Sequence, residues 1–270
     1  MNNKVYVALK NWYDKHPKLI VAFSGGADSC LAAYLGRKFL GKECLVAVIS
    51  TSPSLKRRDL KIARKFADTY DIQLHEIITD EMQDENYLKN PSNRCYFCKS
   101  ALYNQLSDLV KTTYQGYEII NGSNFDDLGD FRPGMDAAKE LKVLSPFVEC
   151  KITKAKIRKM SKAFDLFTWD KPASPCLSSR FPYGKSISST KLKQVEELED
   201  LILNLGIKDV RVRHFGSEAK VEVPVSEFDS LKKHAIQIKN KALELGFKSL
   251  TIDEEGLVSG KMNRVLKLSK

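Results

Sequence analysis

Two sets of residues in this chain have types and spacing suited to chemistry. One is a loop of hydroxyls and glycines, Ser24-Gly25-Gly26-Ala27-Asp28-Ser29; the other is three cysteines, Cys95, Cys98 and Cys176. The loop follows an apolar run, Leu19-Ile20-Val21-Ala22-Phe23, and leads into Cys30-Leu31-Ala32-Ala33-Tyr34-Leu35. A strand that turns through glycines into a helix N-terminus builds an anion site. The first backbone N–H groups of the helix have no intrahelical partner, and the helix dipole favours negative charge there. Ser24 and Ser29 add hydroxyl donors, while Asp28 could hold a metal or order the loop. No lysine follows the glycines, so this is not the Gly-x-x-x-x-Gly-Lys-Ser/Thr phosphate loop. Standing alone, the hexapeptide also reads as a plain turn between a strand and a helix.

Cys95 and Cys98 form a Cys-x-x-Cys pair in Asn93-Arg94-Cys95-Tyr96-Phe97-Cys98-Lys99, placed just before an expected helix. Two thiols at this spacing can share a metal, form a redox disulfide, or simply pack. A closed zinc site needs four ligands, and only Cys176 has a comparable setting, in Ser174-Pro175-Cys176-Leu177-Ser178-Ser179-Arg180. Arg180 and Lys171 are expected to lower the pKa of that thiol and raise its reactivity. Three cysteines with an open position suit an iron–sulfur cluster, with one iron left without a protein ligand, better than zinc. The other cysteines, Cys30, Cys44 and Cys150, read as small core residues.

A second cluster runs from Gly122-Ser123-Asn124 to Arg132-Pro133-Gly134 and contains Asp126, Asp127 and Asp130. At the carboxyl end of a strand these carboxylates could hold Mg²⁺ bound to pyrophosphate, with Arg132 clamping a phosphate. An Asx-rich surface turn is the plainer reading. Lys154, in the basic stretch 153–159, is a candidate to stabilise a leaving phosphate, although most of that run reads as a solvated helix face. Arg211, Arg213 and His214 read chiefly as charge on the exposed face of a strand. The four histidines, His16, His75, His214 and His234, show no metal spacing.

The elements that must position these groups follow from apolar periodicity. Strands are expected at 19–23, 43–49, 73–78 and 117–121, separated by helices ending near 40, over 57–70 and over 99–112, after an amphipathic helix at 1–16. That alternation predicts an α/β fold with a doubly wound parallel sheet. Ligands of such sheets bind at the carboxyl ends of the strands, so Ala22, Phe23 and residues 24–29, then Ser50, then Gly122 and Asn124 should share one crevice. After a Pro-, Ser- and Gly-rich stretch at 172–182 the pattern becomes helix, two strands, helix, strand. This predicts a smaller α+β domain over 186–270, ferredoxin-like in outline, behind a larger domain over 1–185.

With 270 residues, 43% hydrophobic and 29% charged, the composition is that of an ordinary globular protein. No run approaches the roughly 20 apolar residues of a membrane span, and residues 1–5 lack a signal-peptide pattern, so a cytoplasmic location is expected. The net charge of +10 points to an anionic partner. The lysines are scattered and no RNA-binding motif is visible, so RNA is not the expected one.

Taken together, these residues resemble the PP-loop ATP pyrophosphatases, whose Ser-Gly-Gly-x-Asp-Ser signature is intact at 24–29. Within that superfamily the chain is similar to the LarE-type ATP-dependent sulfur transferases, through the 93–99 and 122–134 blocks and through Ser174-Pro175-Cys176-Leu177-Ser178-Ser179-Arg180-Phe181-Pro182-Tyr183-Gly184. The resemblance spans nearly the whole chain. It implies an ATP site at Ala22, Phe23, Ser24, Gly25, Gly26, Asp28, Ser29, Ser50, Gly122, Asn124, Asp127 and Arg132, with Mg²⁺ at Asp28 and Asp127. It implies catalytic roles for Cys176, Asp28, Arg180 and Lys154, and a homo-oligomer. The reaction implied is adenylation of a carboxylate of pyridinium-3,5-biscarboxylic acid mononucleotide with release of pyrophosphate. Sulfur then displaces AMP to give a thiocarboxylate, a step toward the nickel-pincer cofactor. The family has a branch that sacrifices one cysteine at the place of Cys176, and a three-cysteine branch that resembles [4Fe-4S] enzymes. Cys95, Cys98 and Cys176 match the second; the sulfide donor stays open. The competing readings are a tRNA thiolase of the same loop chemistry, an amide synthetase, and a nucleotide-binding iron–sulfur protein without turnover.

Overall fold

The computed structural model describes residues 3–129, 132–258 and 260–267. In chain order its elements begin α1 (Asn3–Lys15), β1 (Leu19–Ala22), α2 (Ala27–Leu40), β2 (Leu45–Ser50), α3 (Arg57–Thr69), β3 (Gln73–Ile77) and α4 (Glu85–Leu88). They continue α5 (Arg94–Thr112), β4 (Glu118–Ile120), α6 (Pro133–Glu140), α7 (Pro146–Glu149), α8 (Lys154–Ala163) and α9 (Ser189–Asn204). The chain ends with β5 (Arg211–His214), β6 (Glu218–Glu222), α10 (Phe228–Lys233), α11 (Ala235–Glu244), β7 (Ser249–Ile252) and α12 (Arg264–Lys267).

These divide into two compact units, Met1–Glu81 with Cys95–Ser174, and Met82–Arg94 with Pro175–Lys270. The first holds a four-stranded parallel sheet in the order β3-β2-β1-β4. The two central strands are the ones whose sequences are unbroken apolar runs, because both faces of a parallel sheet are covered. Successive side chains of a strand point to opposite faces, and β1 and β2 sort accordingly. Leu19, Val21, Leu45, Ala47 and Ile49 join a core with Leu9, Leu31, Phe66, Phe147 and Ile157, from α1, α2, α3, α7 and α8. Ile20, Ala22, Val46 and Val48 join a second core with Leu102, Leu106, Ala137 and Ala138, from α5 and α6. Each fully buried Leu or Ile in these layers contributes roughly 1.5–3 kcal/mol. The strand β3 lies at the sheet edge, which is why Gln73 and Glu76 are exposed along it. This is the doubly wound α/β fold that the alternation of elements predicts.

The second unit carries a three-stranded sheet, β5-β6-β7, antiparallel between β5 and β6 and parallel between β6 and β7. Among the described residues that is one strand short of a ferredoxin-like sheet, so the ferredoxin-like outline is corrected to a smaller mixed α+β unit. The cut expected at 185/186 falls inside this unit. Residues 82–94 and 175–185 are bonded together: Asn90 Nδ2 donates to the carbonyl of Pro182 at 2.8 Å, and Arg94 Nη1 donates to that of Ser178 at 2.9 Å. Among the described residues no helix is long and apolar enough to cross a membrane.

Candidate functional site

The 24–29 loop leaves β1 and enters α2 at the point where the sheet order reverses between β1 and β4. Gly25 takes φ +65°, and a Cβ there would lie 3.0 Å from Ala63 Cβ and 3.1 Å from the Asp59 carbonyl. The turn therefore needs glycine both for its backbone and for its approach to α3. The N-cap of α2 is Gly26, with no side-chain cap, which leaves the first N–H groups of the helix for another acceptor. The hydroxyls of Ser24 and Ser29 lie 3.0 Å apart, Ser29 Oγ accepts from Ser24 N–H and donates to the Gly26 carbonyl, and Gly26 N–H reaches Ser24 Oγ at 3.4 Å.

The β4 loop lies directly against this turn. A Cβ on Gly122 would stand 2.7 Å from Ser29 N and 3.0 Å from Asp28 C, both backbone atoms that cannot yield. Gly122→Ala should therefore push the two loops apart and weaken nucleotide binding about tenfold or more. Titration with ATP alongside a thermal melt checks this, the melt shifting far less than the affinity.

Four charged side chains from three segments meet here. Asp28 Oδ2 accepts from Lys154 Nζ at 2.5 Å, while Asp28 Oδ1 is buried with no hydrogen-bond partner. Burial raises the Asp28 pKa, Lys154 opposes that shift by hydrogen bond and charge, Asp127 adds to it and Arg132 opposes it. Asp127 Oδ2 accepts from Asn124 N–H at 2.9 Å and its Oδ1 pairs with Arg132 at 2.8 Å. Asp126 Oδ2 accepts from Lys154 N–H at 2.8 Å, so this carboxylate holds the start of α8. Of the three aspartates read as a group, Asp126 and Asp127 bond their own loop and its neighbours, and Asp130 lies outside the described residues. Among the described residues no group of three or more His, Cys, Asp and Glu side chains is set to hold a metal ion. A Mg²⁺ that takes most of its ligands from phosphate and water needs only one or two carboxylates, and the unpartnered Oδ1 of Asp28 fits that requirement.

The carboxyl ends of β2 and β3 supply hydroxyls. Ser50 Oγ lies 2.6 Å from Thr79 Oγ1, and Thr51 Oγ1 donates to the Ile77 carbonyl at 3.1 Å. Ala22 and Phe23 are buried in the sheet, with Phe23 N–H bonded to the Val48 carbonyl.

The cysteine pair lies inside the first turn of α5, not before the helix as its sequence setting suggested. One helical turn puts both on one side, Cys95 exposed and Cys98 half-buried. Gly134, in the first turn of α6, lies against this turn: its Cβ would stand 2.9 Å from Lys99 Cγ and 3.4 Å from the Cys95 carbonyl. The segment that carries Arg132 thus touches the cysteine turn.

In the second unit, Cys176 is half-buried at the head of the 3-10 turn Leu177–Arg180. Arg180 is 1% exposed. Its Nε and Nη2 bond both oxygens of Glu199 at 2.7 and 3.0 Å, and Nη1 donates to the Pro175 and Cys176 carbonyls. Its charge is answered by Glu199, so Arg180 clamps the Cys176 backbone and does not act on the thiol as a free cation. Lys171 belongs to the first unit and is held by Asp59 and Gly25.

The strand-face reading of Arg211, Arg213 and His214 is corrected. Arg213 and His214 are each 3% exposed. Arg213 Nη2 pairs with Glu222 at 2.6 Å and Nη1 donates to the Ser179 carbonyl. His214 packs between Phe181 and Phe247, and burial pushes its pKa down to about 4, so the ring is neutral. Burial, with Arg180 and Arg213 nearby, lowers the Arg211 pKa. Arg211 is thus half-buried beside two arginines whose charges Glu199 and Glu222 answer.

Comparison with known proteins agrees with this geometry. Residues 6–122 match the family model described as NAD synthase. The chain is 41% identical over 261 residues to the uncharacterized protein slr1717 of Synechocystis, covering 96% of each. It is 31% identical over 241 residues to the uncharacterized protein MJ0830 of Methanocaldococcus jannaschii, covering 89% of this chain and 91% of the relative. It is also 28% identical over 249 residues to the pyridinium-3,5-bisthiocarboxylic acid mononucleotide synthase of Lactiplantibacillus plantarum, covering 92% of this chain and 90% of that enzyme. With the Ser-Gly-Gly-x-Asp-Ser loop at the head of α2 and these matches along its length, the chain belongs to the LarE-like family of PP-loop proteins.

Proposed function

We propose that this protein is an ATP-dependent sulfur transferase that converts a carboxylate of pyridinium-3,5-biscarboxylic acid mononucleotide into a thiocarboxylate, in nickel-pincer cofactor synthesis. The observation that carries the reading is Gly134, which seats the phosphate-site segment at Arg132 against the helical turn of Cys95 and Cys98. The phosphate-site segment and two of the three cysteines thereby lie in one unit of the fold, while Cys176 belongs to the other. The relationship to the Lactiplantibacillus plantarum synthase supplies the substrate class.

ATP lies with its β- and γ-phosphates on the α2 N-terminus and the Ser24 and Ser29 hydroxyls. A substrate carboxylate oxygen attacks the α-phosphorus, and the bond to pyrophosphate breaks. Asp28, through its unpartnered Oδ1, and Asp127 beside it would hold Mg²⁺, which would neutralise charge on the leaving pyrophosphate. Lys154 and Arg132 stand at the same place with fixed positive charge. Cys95 and Cys98, two thiols one helical turn apart, would be ligands of a [4Fe-4S] cluster, with Cys176 as its third ligand on this reading. Such a cluster would leave one iron without a protein ligand, where the sulfur to be transferred would be carried. In the second step a sulfur nucleophile would attack the acyl carbon, the carbon–oxygen bond to AMP would break, and the thiocarboxylate and AMP would leave. Arg211 takes the substrate's own phosphate, and the second unit serves substrate binding or contact between copies in a homo-oligomer. Location in the cytoplasm follows from the same reading.

Iron and sulfide analysis of protein reconstituted without oxygen tests the cluster: about four irons per chain is expected, and iron-free protein would sink it. Arg211→Ala should raise the KM for the mononucleotide about tenfold or more with the KM for ATP unchanged, measured by pyrophosphate release.

A further inference from the structure

Lys171 and Asp59 form a brace behind the phosphate loop that no motif announces. Lys171 Nζ donates to the Gly25 carbonyl at 2.9 Å and pairs with Asp59 Oδ1 at 2.9 Å. The two side chains are only 13% and 11% exposed. Ser174 Oγ donates to Asp59 Oδ2 at 2.7 Å, and Arg158 Nη2 donates to the Lys171 carbonyl at 3.3 Å. The carbonyl of Asp59 itself lies against Gly25.

We propose that Lys171, held by Asp59, is a positioning residue that sets the direction in which the Gly25–Gly26 peptide presents its N–H to the pyrophosphate. The argument is geometric. A peptide unit is planar and trans, so the Gly26 N–H points opposite to the Gly25 carbonyl. Lys171 draws that carbonyl toward α3, and Gly26 N–H is turned toward Ser24 Oγ, on the side where the anion is read. Glycine at both positions leaves the peptide free to flip, which makes an external anchor necessary for a preorganised loop. The ion pair gives the anchor its direction: without Asp59, Lys171 has a single neutral acceptor to hold it. The inference rests on the reading that the 24–29 loop holds pyrophosphate.

Calorimetric titration of the full chain with Mg²⁺-pyrophosphate and, separately, with adenosine tests it. Lys171→Met should weaken pyrophosphate about tenfold or more while adenosine stays within about twofold. Asp59→Asn should also weaken pyrophosphate, although it removes a negative charge near an anion. The double variant leaves no buried charge unpaired and serves if a single variant fails to fold; it should show the same selective loss. Equal losses for both ligands would make the brace merely structural. Unchanged pyrophosphate binding, or tighter binding in Asp59→Asn, would also overturn the inference, the latter by making Lys171 a direct counter-charge. Wild-type protein that binds adenosine but no pyrophosphate would overturn the loop reading itself, and this inference with it.

Discussion

Asp28→Asn abolishes pyrophosphate release, by on the order of 100-fold or more, and leaves the unliganded fold as stable as before or more so. The first half follows from Oδ1, a buried oxygen with no partner and the fitting place for Mg²⁺. The second half follows from the carboxyl's raised pKa, which burial causes against the pull of Lys154. A group whose folded pKa lies above its unfolded value adds stability that is present in acid and lost as pH rises through the folded value. At neutral pH the free protein therefore carries a partly desolvated carboxylate, and asparagine removes that penalty. The wild-type deficit should shrink as pH falls toward the ordinary carboxylate range. Thermal melts over pH, paired with a pyrophosphate assay, check both halves. Full activity in the variant would remove Asp28 from the chemistry.

Cys95→Ala, Cys98→Ala and Cys176→Ala each eliminate thiocarboxylate formation while leaving the first burst of pyrophosphate intact. On the proposed reading adenylation uses the loop, Asp28 and the β4 segment, none of which needs a thiol. Sulfur transfer through a three-cysteine cluster needs all three side chains, whereas a sacrificial donor needs Cys176 alone. Single-turnover assays of the three variants separate these chemistries. Normal thiocarboxylate yield from Cys95→Ala or Cys98→Ala would leave Cys176 as the donor.

The loop and the sheet were legible because their signals are local. An apolar run at 19–23 and another at 43–49 mark central parallel strands, and glycines between strand and helix mark an anion turn. The approach of Gly122 to Ser29 follows from β1 and β4 being sheet neighbours, which the rule of ligand sites at strand carboxyl ends anticipates. What the sequence hid is pairing at a distance. Arg213 and His214 look like surface charge until Glu222, Phe181 and Phe247 are seen around them. Arg180 looks like an activator of Cys176 until Glu199 is seen to neutralise it. The second helix read in the 186–270 pattern is two helices, α10 and α11, that meet at His234.

The central claim is that ATP activation and sulfur incorporation are coupled in one chain. The most direct test incubates oxygen-free reconstituted protein with ATP, Mg²⁺, a sulfide source and pyridinium-3,5-biscarboxylic acid mononucleotide, and measures pyrophosphate together with the mass of the product. One pyrophosphate for each oxygen replaced by sulfur is the expected result. Pyrophosphate without sulfur in the product, or sulfur in the product without pyrophosphate, would contradict it.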